Sequence, residues 1–241
     1  MFRRRIVFRM HITRIWVLLA GLPLLLPALR LQAAEAAREP MPPCPGAVAW
    51  RQAHRDQLPP AMAERDQART FSAPQLRSEL QRRFELDQQE RQRLVANPRD
   101  RAVADRVARM DVENLAWLKK LVNDQCVPTV AQVGENGVHW TWLLVQHADD
   151  DPQFQLSVQP VFAQRQAAGE LPADDLARLT DRLLLAAGKP QRYGTQFDWF
   201  SGKFKPKGVV NVADIEANRS AVGLMPLADY ACMMNGKLKR E

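Results

Sequence analysis

The sequence predicts a mainly α-helical protein: a single-domain bundle of about five main helices, with a short β-hairpin or ordered loop near residues 193–210. Two observations lead to this class. Apolar residues recur at three- and four-residue intervals in successive segments, which places them on one face of a helix. Prolines, glycines and capping residues separate these segments at helical lengths.

The first two main helices have clear start and stop signals. Ser72, with Pro74 and Gln75 behind it, combines a capping hydroxyl, a first-turn proline and a capping-box glutamine. The helix that begins there runs to about residue 96, because Asn97-Pro98 disfavours helical backbone. A second helix is predicted over about 100–124, ahead of Pro128.

The third and fourth helices follow a glycine-containing turn. Residues 134–137 are predicted to form that turn, and a helix is predicted over about 138–148. The acidic run 149–151 with Pro152 suits the start of a fourth helix, since acids and proline favour the first turn. Pro160 predicts a kink in it.

A fifth helix is predicted from Ala173 to Ala187. Leu183, Leu184 and Leu185 make its second half apolar nearly all round, so we expect it to be the most buried helix. The aromatic stretch after residue 193, with a turn at 201–202, indicates the hairpin or ordered loop. Two short helices are predicted at about 213–222 and 226–235.

The N-terminus has the layout of a cleavable secretory signal peptide over residues 1–34. A basic region precedes an apolar run at 15–29, and small residues suitable for cleavage follow. This predicts a periplasmic or secreted protein that meets the membrane only through the signal peptide before cleavage. Residues 35–72 are then a Pro/Ala-rich linker and N-terminal helical segment, 73–235 the helical domain and 236–241 a charged tail.

The charge of the chain gives no sign of nucleic-acid binding once the signal peptide is set aside. The whole chain has 34 Lys and Arg against 27 Asp and Glu, and residues 1–34 hold six Arg and no acid. The remainder carries 28 basic and 27 acidic residues, so its net charge is near +1. We therefore expect no nucleic-acid partner.

Three cysteines lie outside the signal peptide: Cys44, Cys126 and Cys232. One disulfide and one free thiol suit an exported protein, and three pairings are possible. No cysteine has the spacing of a zinc site or the context of a nucleophile.

Polar side chains inside the apolar stripes are the strongest indication of a site. Asp87 and Arg91 lie within the core-facing arc of the first helix and Gln88 at its edge, while Asp111 and Asn114 lie within that of the second. Since a buried polar group needs a partner, one shared polar pocket is the simplest arrangement. Asp87 and Arg91 are also four residues apart, so the alternative is a structural ion pair.

The later helices add further candidates. His147 faces the same way as the core residues of the third helix, and Asp149 follows the helix end, so this pair suits acid–base chemistry. The alternative for His147 is a satisfied core residue. Asp181 lies beside the apolar side of the fifth helix. The loop behind that helix carries the hydrogen-bonding side chains of Gln191, Tyr193 and Gln196. These groups either bind a ligand or cap the end of the helix and bond to the backbone of the hairpin.

Cofactor and metal motifs are missing from the sequence. It contains no P-loop, no dinucleotide fingerprint and no serine-nucleophile motif. No second histidine stands at ligand spacing from His147, and residues 149–151 lack the alternation of an EF-hand loop. We therefore predict no cofactor and no metal site.

Several short motifs follow one another in a fixed order along the chain. They are Asp87-Gln88-x-x-Arg91, Asp111-x-x-Asn114, Gln146-His147-Ala148-Asp149, Phe154-Gln155, Thr180-Asp181-Arg182, Gln191-x-Tyr193-Gly194-Thr195-Gln196, Arg219 and Val222-Gly223-Leu224. The order resembles a bacterial family catalogued only as a domain of unknown function, over about residues 73–230. This resemblance implies a polar site, to which it adds Gln155, Arg182 and Arg219, but no activity.

The resemblance also has one departure. Residues 126–128 read Cys-Val-Pro, where relatives often carry a Gly-aromatic-Pro turn. The signal peptide and the cysteines look like additions of an exported branch of the family.

Two functional hypotheses follow. In the first, the pocket binds a small polar ligand and hydrolyses it, with His147 as the acid or base, an Asp as its orienting partner and Arg91 as an anion clamp. The expected catalytic residues are His147, Asp149, Asp111 and Asp181, and the expected ligand-binding residues are Asp87, Gln88, Arg91, Asn114, Gln155, Arg182, Gln191, Tyr193, Gln196 and Arg219. In the second, the same side chains form a structural network in a non-catalytic module that binds another envelope protein. An effector or immunity-like partner protein is a third, weaker option.

Overall fold

A computed structural model describes residues 44–201, 203–208 and 211–237 of the 241 residues. This part of the chain contains nine α-helices and one two-stranded antiparallel hairpin, so the mainly α class is confirmed. The helices number nine rather than about five, because short helices flank the five long ones at both ends. The predicted signal peptide, residues 35–43 of the predicted linker and residues 238–241 of the predicted tail lie outside the described residues.

The elements follow one another in this order. They are α1 (Pro45–Ala53), a 3-10 turn (Arg55–Gln57), α2 (Pro59–Gln67), α3 (Pro74–Ala96), α4 (Arg101–Gln125), α5 (Val130–Gln146), α6 (Pro152–Ala167), α7 (Ala173–Ala186), β1 (Phe197–Phe200), β2 (Lys203–Pro206), α8 (Val212–Ala221) and α9 (Leu227–Lys237). The described residues belong to one compact unit.

The predicted turn at residues 134–137 is reduced to a kink at Gly134, because residues 135–137 are already helical. The helix begins earlier, at a capping box between Thr129 and Gln132. Gly134 has φ 77° and ψ 173°, which is not helical and interrupts α5 with a kink, and a Cβ there would lie 2.5 Å from the carboxylate of Asp66. That carboxylate accepts the N–H groups of Glu135 (2.8 Å) and Asn136 (3.0 Å) and so caps the second half of α5.

The most buried helix is α5 and not, as expected, the fifth main helix of the sequence (α7). Val133, Val138 and Val145 of α5 are fully buried, since α5 packs against α2, α3, α4, α6 and α7. Residues 183–185 are only half-buried. Among the long helices, α7 packs mainly against α5 and α6, so a leucine-rich surface there did not predict a central position.

The structure selects one of the three possible cysteine pairings. Cys44 and Cys232 form a disulfide, with Cα atoms 6.0 Å apart, that ties the start of α1 to α9. Cys126 is a free, exposed thiol at the end of α4, with φ 64° and ψ −176°.

Among the described residues, no helix has the length and hydropathy needed to cross a membrane.

Candidate functional site

His147 and Asp87 form a hydrogen-bonded pair at the C-terminal end of α5. Nδ1 of His147 lies 2.9 Å from Oδ1 of Asp87, which also accepts from Nε of Arg91 at 2.9 Å. The second oxygen of Asp87 accepts from the amide of Gln88 at 2.8 Å. Asp87 is 0% exposed, whereas the His147 side chain is 16% exposed. A buried carboxylate therefore fixes one ring nitrogen, and within the described chain the other nitrogen, Nε2, has no hydrogen-bond partner.

Arg91 joins this pair to the second helix. Its guanidinium also contacts the carboxylate of Asp111 on α4, so two carboxylates share one cation. Burial raises the pKa of Asp87, but the bonds from His147 and the charge of Arg91 outweigh burial and hold that pKa below its ordinary value. Burial of Asp111 has the larger effect, so its pKa lies above the ordinary value despite Arg91.

A second group of predicted residues lies directly behind the end of α5. Arg182 of α7 contacts Asp149 with two bonds of 2.5 Å, and its third nitrogen donates to Gln196 at 3.0 Å. The amide of Gln155 donates to the carbonyl of Val145 at 2.9 Å and reaches Asp149 at 3.5 Å. Burial raises the pKa of Asp149, but the bonds from Arg182 outweigh it and leave the pKa below the ordinary value. The side chains of this group line one cavity of about 250 Å³; they are Asp149, Gln155, Arg182 and Gln196.

The group around Asp87 and the group around Asp149 are adjacent in sequence and interact electrostatically. His147 and Asp149 are separated by one residue, and the charge of His147 contributes to the lowered pKa of Asp149 and opposes the rise in the pKa of Asp111. The structure thus brings together seven further residues of the predicted site around the end of α5, from four helices and one loop; they are Asp87, Gln88, Arg91, Asp111, Gln155, Arg182 and Gln196.

Asp181 was expected to be catalytic, but the structure shows its carboxylate bonded to a loop. It is 0% exposed, and its oxygens accept the N–H groups of Arg192, Tyr193 and Thr195 and the hydroxyl of Thr195, at 2.7 to 2.9 Å. The carboxylate therefore anchors the loop behind α7 and has no oxygen turned to solvent. These contacts fit the alternative interpretation of the loop given above, in which its polar groups cap the helix and do not bind a ligand.

Arg219 and Gln191 hold the same loop. Arg219 is 1% exposed and donates to the carbonyls of Met225 and Tyr193, both at 2.6 Å. The amide of Gln191 donates to the carbonyls of Gln196 (2.9 Å) and Lys207 (2.6 Å). The main chain of Tyr193 is thus fixed from both sides, and these three residues shape the loop that presents Gln196.

Asn114 is buried away from the His147 pair. Its carbonyl oxygen accepts from Arg83 at 2.9 Å, and its amide nitrogen is buried without a partner in the described chain. The structure therefore does not place it with the other predicted ligand-binding residues.

Sequence reasoning missed a second His–Asp pair. Nδ1 of His139 lies 2.6 Å from Asp175 of α7, and His139 lines a cavity of about 380 Å³. His139 and His147 are eight residues apart on α5, a spacing that keeps them on one side of a helix, and this was the available signal. In the described chain, no set of three or more His, Cys, Asp or Glu side chains is arranged to hold a metal ion.

The chain belongs to a family of unknown function, DUF6624, which matches residues 74–239 and so includes every residue of both groups. The family expected from the order of the motifs is thereby confirmed. Comparisons with curated proteins and with solved structures found no match.

Proposed function

We propose that this protein binds a small polar ligand beside His147 and hydrolyses it, with His147 as the general acid–base. The supporting observation is the pairing of a fully buried Asp87 with Nδ1 of a partly exposed His147. A carboxylate at Nδ1 fixes the tautomer and the ring orientation, so Nε2 is the nitrogen that meets the ligand. We further propose that the protein acts in the periplasm or outside the cell, a location that suits the disulfide between Cys44 and Cys232.

The chemistry requires one proton transfer in each direction. Nε2 of His147 removes a proton from a water molecule whose oxygen bonds to the electrophilic atom of the ligand. The bond to the leaving group breaks, and the imidazolium returns the proton to that group. Asp87 stabilises the imidazolium that forms between the two transfers, which makes it a positioning residue.

The charges of the site set the class of ligand. Asp87, Asp111 and Asp149 contribute three negative charges, against two from Arg91 and Arg182. Both guanidinium groups are already bonded to carboxylates, so Arg91 is less suited to act as the anion clamp that the sequence suggested. The site therefore favours a neutral or cationic polar ligand over a strongly anionic one.

The rival proposal, a non-catalytic envelope module, is favoured by the same ion pairs, since a closed network of charges also locks helices together. The two proposals differ in what His147→Gln does. Asp87 would keep its bonds from Arg91 and Gln88, so we expect the free energy of unfolding to fall by no more than about 1 kcal/mol. A residue essential to a buried network costs about 3–5 kcal/mol.

The test uses p-nitrophenyl acetate, p-nitrophenyl phosphate and a p-nitrophenyl glycoside, with urea unfolding of each variant. We expect turnover of an uncharged substrate, reduced about 100-fold or more by His147→Gln, the usual contribution of a general acid–base. His139→Gln is the matched control, because it removes the same kind of ring from the same helix and should leave turnover intact. No turnover, together with a loss of about 3 kcal/mol or more in His147→Gln, would favour the structural module.

A further inference from the structure

The second cavity has the composition of a ligand site, and of the His147 group only Gln88 lines it. It encloses about 380 Å³, and its walls come from α1, α2, α3, α5, α7 and α9. That volume lies within the range of about 300–1,000 Å³ of small-molecule sites, which are mostly apolar with a few placed polar groups. Four aromatic side chains line it; they are Trp50, Phe84, Trp142 and Tyr230.

Tyr230 contributes a hydroxyl without a partner. The residue is only 6% exposed, yet in the described part of the chain its hydroxyl makes no hydrogen bond. Burial raises the pKa of Tyr230, an effect that the charge of Arg178 opposes without cancelling, so the hydroxyl stays protonated and is a donor at neutral pH. The hydroxyl oxygen is not among the fully buried unpartnered atoms of the described chain, so it is open to the cavity and can donate to an acceptor on a ligand.

A guanidinium group lies over the Tyr230 ring at the cavity wall. The guanidinium carbon of Arg178 is 5.8 Å from the centre of the Tyr230 ring, and both residues line the cavity. Arg178 is paired with Asp174 at 2.5 Å through one terminal nitrogen, and its buried Nε has no partner in the described chain, so this guanidinium keeps an unused donor. Asp175 is paired with His139 at 2.6 Å, so each carboxylate of the wall already has a partner. Nε2 of His139 has none in the described chain, which makes it a second donor or acceptor.

The aromatic walls fit a flat ring. His139 stacks on Trp142 with centroids 5.3 Å apart, and Phe84 contacts the His139 ring edge-on at 6.3 Å. Stacked and edge-on arrangements of rings are each favourable beyond the area that they bury. A planar ligand could stack against these rings, with its polar group directed at Tyr230.

We propose that this cavity binds a small aromatic carboxylic acid, with the ring among Trp50, Phe84 and Trp142 and the carboxylate accepting from Tyr230 beside Arg178. This site goes beyond the proposed hydrolytic function, since none of these residues belongs to the His147 group. Its failure leaves the His147 proposal untouched, because the two are tested with different variants.

Calorimetric titration of the full chain with benzoate tests the proposal. We expect saturable binding in the micromolar to low millimolar range, with cyclohexanecarboxylate and benzylamine each at least about tenfold weaker, since the first lacks the flat aromatic ring and the second lacks the carboxylate acceptor. Tyr230→Phe should weaken benzoate about tenfold, the effect of one hydrogen bond to a charged group. Tyr193→Phe, at the chain's other tyrosine, is the matched control and should bind benzoate like the wild type.

Stability in the absence of ligand separates a binding role of Tyr230 from a structural one. Because its hydroxyl has no partner, Tyr230→Phe should melt at the wild-type temperature or above it. Absence of binding at millimolar benzoate, tighter binding of benzylamine, or equal binding of cyclohexanecarboxylate would each overturn the proposal. So would an unchanged benzoate affinity in a folded Tyr230→Phe variant.

Discussion

Replacing Cys126 by glycine should stabilise the protein. Cys126 closes the last turn of α4, where its N–H bonds to the carbonyl of Val122 at 3.0 Å. Its backbone stands at φ 64° and ψ −176°, a region that only glycine enters without steric strain. The chain must turn within a few residues here, because Val127 is already buried and Thr129 caps α5.

The size of the effect follows from two opposing contributions. A non-glycine residue in this region costs about 1–3 kcal/mol. Glycine loses about 0.5–1 kcal/mol of additional conformational entropy on folding. The difference predicts a net gain of about 1 kcal/mol, and the exposed Cys126 side chain contributes little packing that would be lost.

Urea unfolding of Cys126→Gly and Cys126→Ala measures this gain. Both variants remove the free thiol, so they differ only in the Cβ. With a denaturant slope of about 2 kcal/mol per molar, we expect the glycine midpoint to lie roughly 0.5 M above that of alanine. An alanine variant as stable as glycine, or more so, would show that this backbone conformation carries no strain.

Two further predictions concern the disulfide and the acidic residues. Reduction of the Cys44–Cys232 bond, which closes a loop with a sequence separation of 188, should lower the free energy of unfolding by about 5 kcal/mol on the chain-entropy relation. Unfolding curves with and without a reductant measure it, and a change below about 1 kcal/mol would contradict it. In a carboxyl NMR titration Asp149 should protonate below its ordinary pKa and Asp111 above it. The stabilisation from Asp149 is then present above its unfolded pKa and is lost as the pH falls, whereas the stabilisation from Asp111 is present at low pH and is lost as the pH rises. Protonation of Asp111 below its ordinary pKa and of Asp149 above its own would refute the assignment.

The long helices were predictable because their signals are local. Proline stands in the first turn of both α3 and α6, and Asp100 and Asp151 cap α4 and α6 through their own side chains. These interactions span four residues or fewer, so the sequence contains both partners. The kink at Gly134 was not predictable in its form, because Asp66, far away in sequence, supplies the acceptor that caps the helical segment after it.

The residues around His147 were predictable in part, but their contacts were not. Polar residues inside apolar stripes marked Asp87, Arg91 and Asp111 correctly as a group that shares partners. The same reasoning could not separate Asp181, which anchors a loop, from Asp87, which orients His147. Both are fully buried carboxylates, and only the identity of the donors distinguishes them.

The sequence by itself determined the helical class, the helix boundaries set by local caps and prolines, and the set of polar residues that must find partners. The tertiary structure alone decided which partners they find: Asp87 with His147, Asp175 with His139, and Cys44 with Cys232. The physical reason is that helix formation and capping act over a few residues. These pairings join residues 36 to 188 positions apart, and packing of the whole chain brings them together.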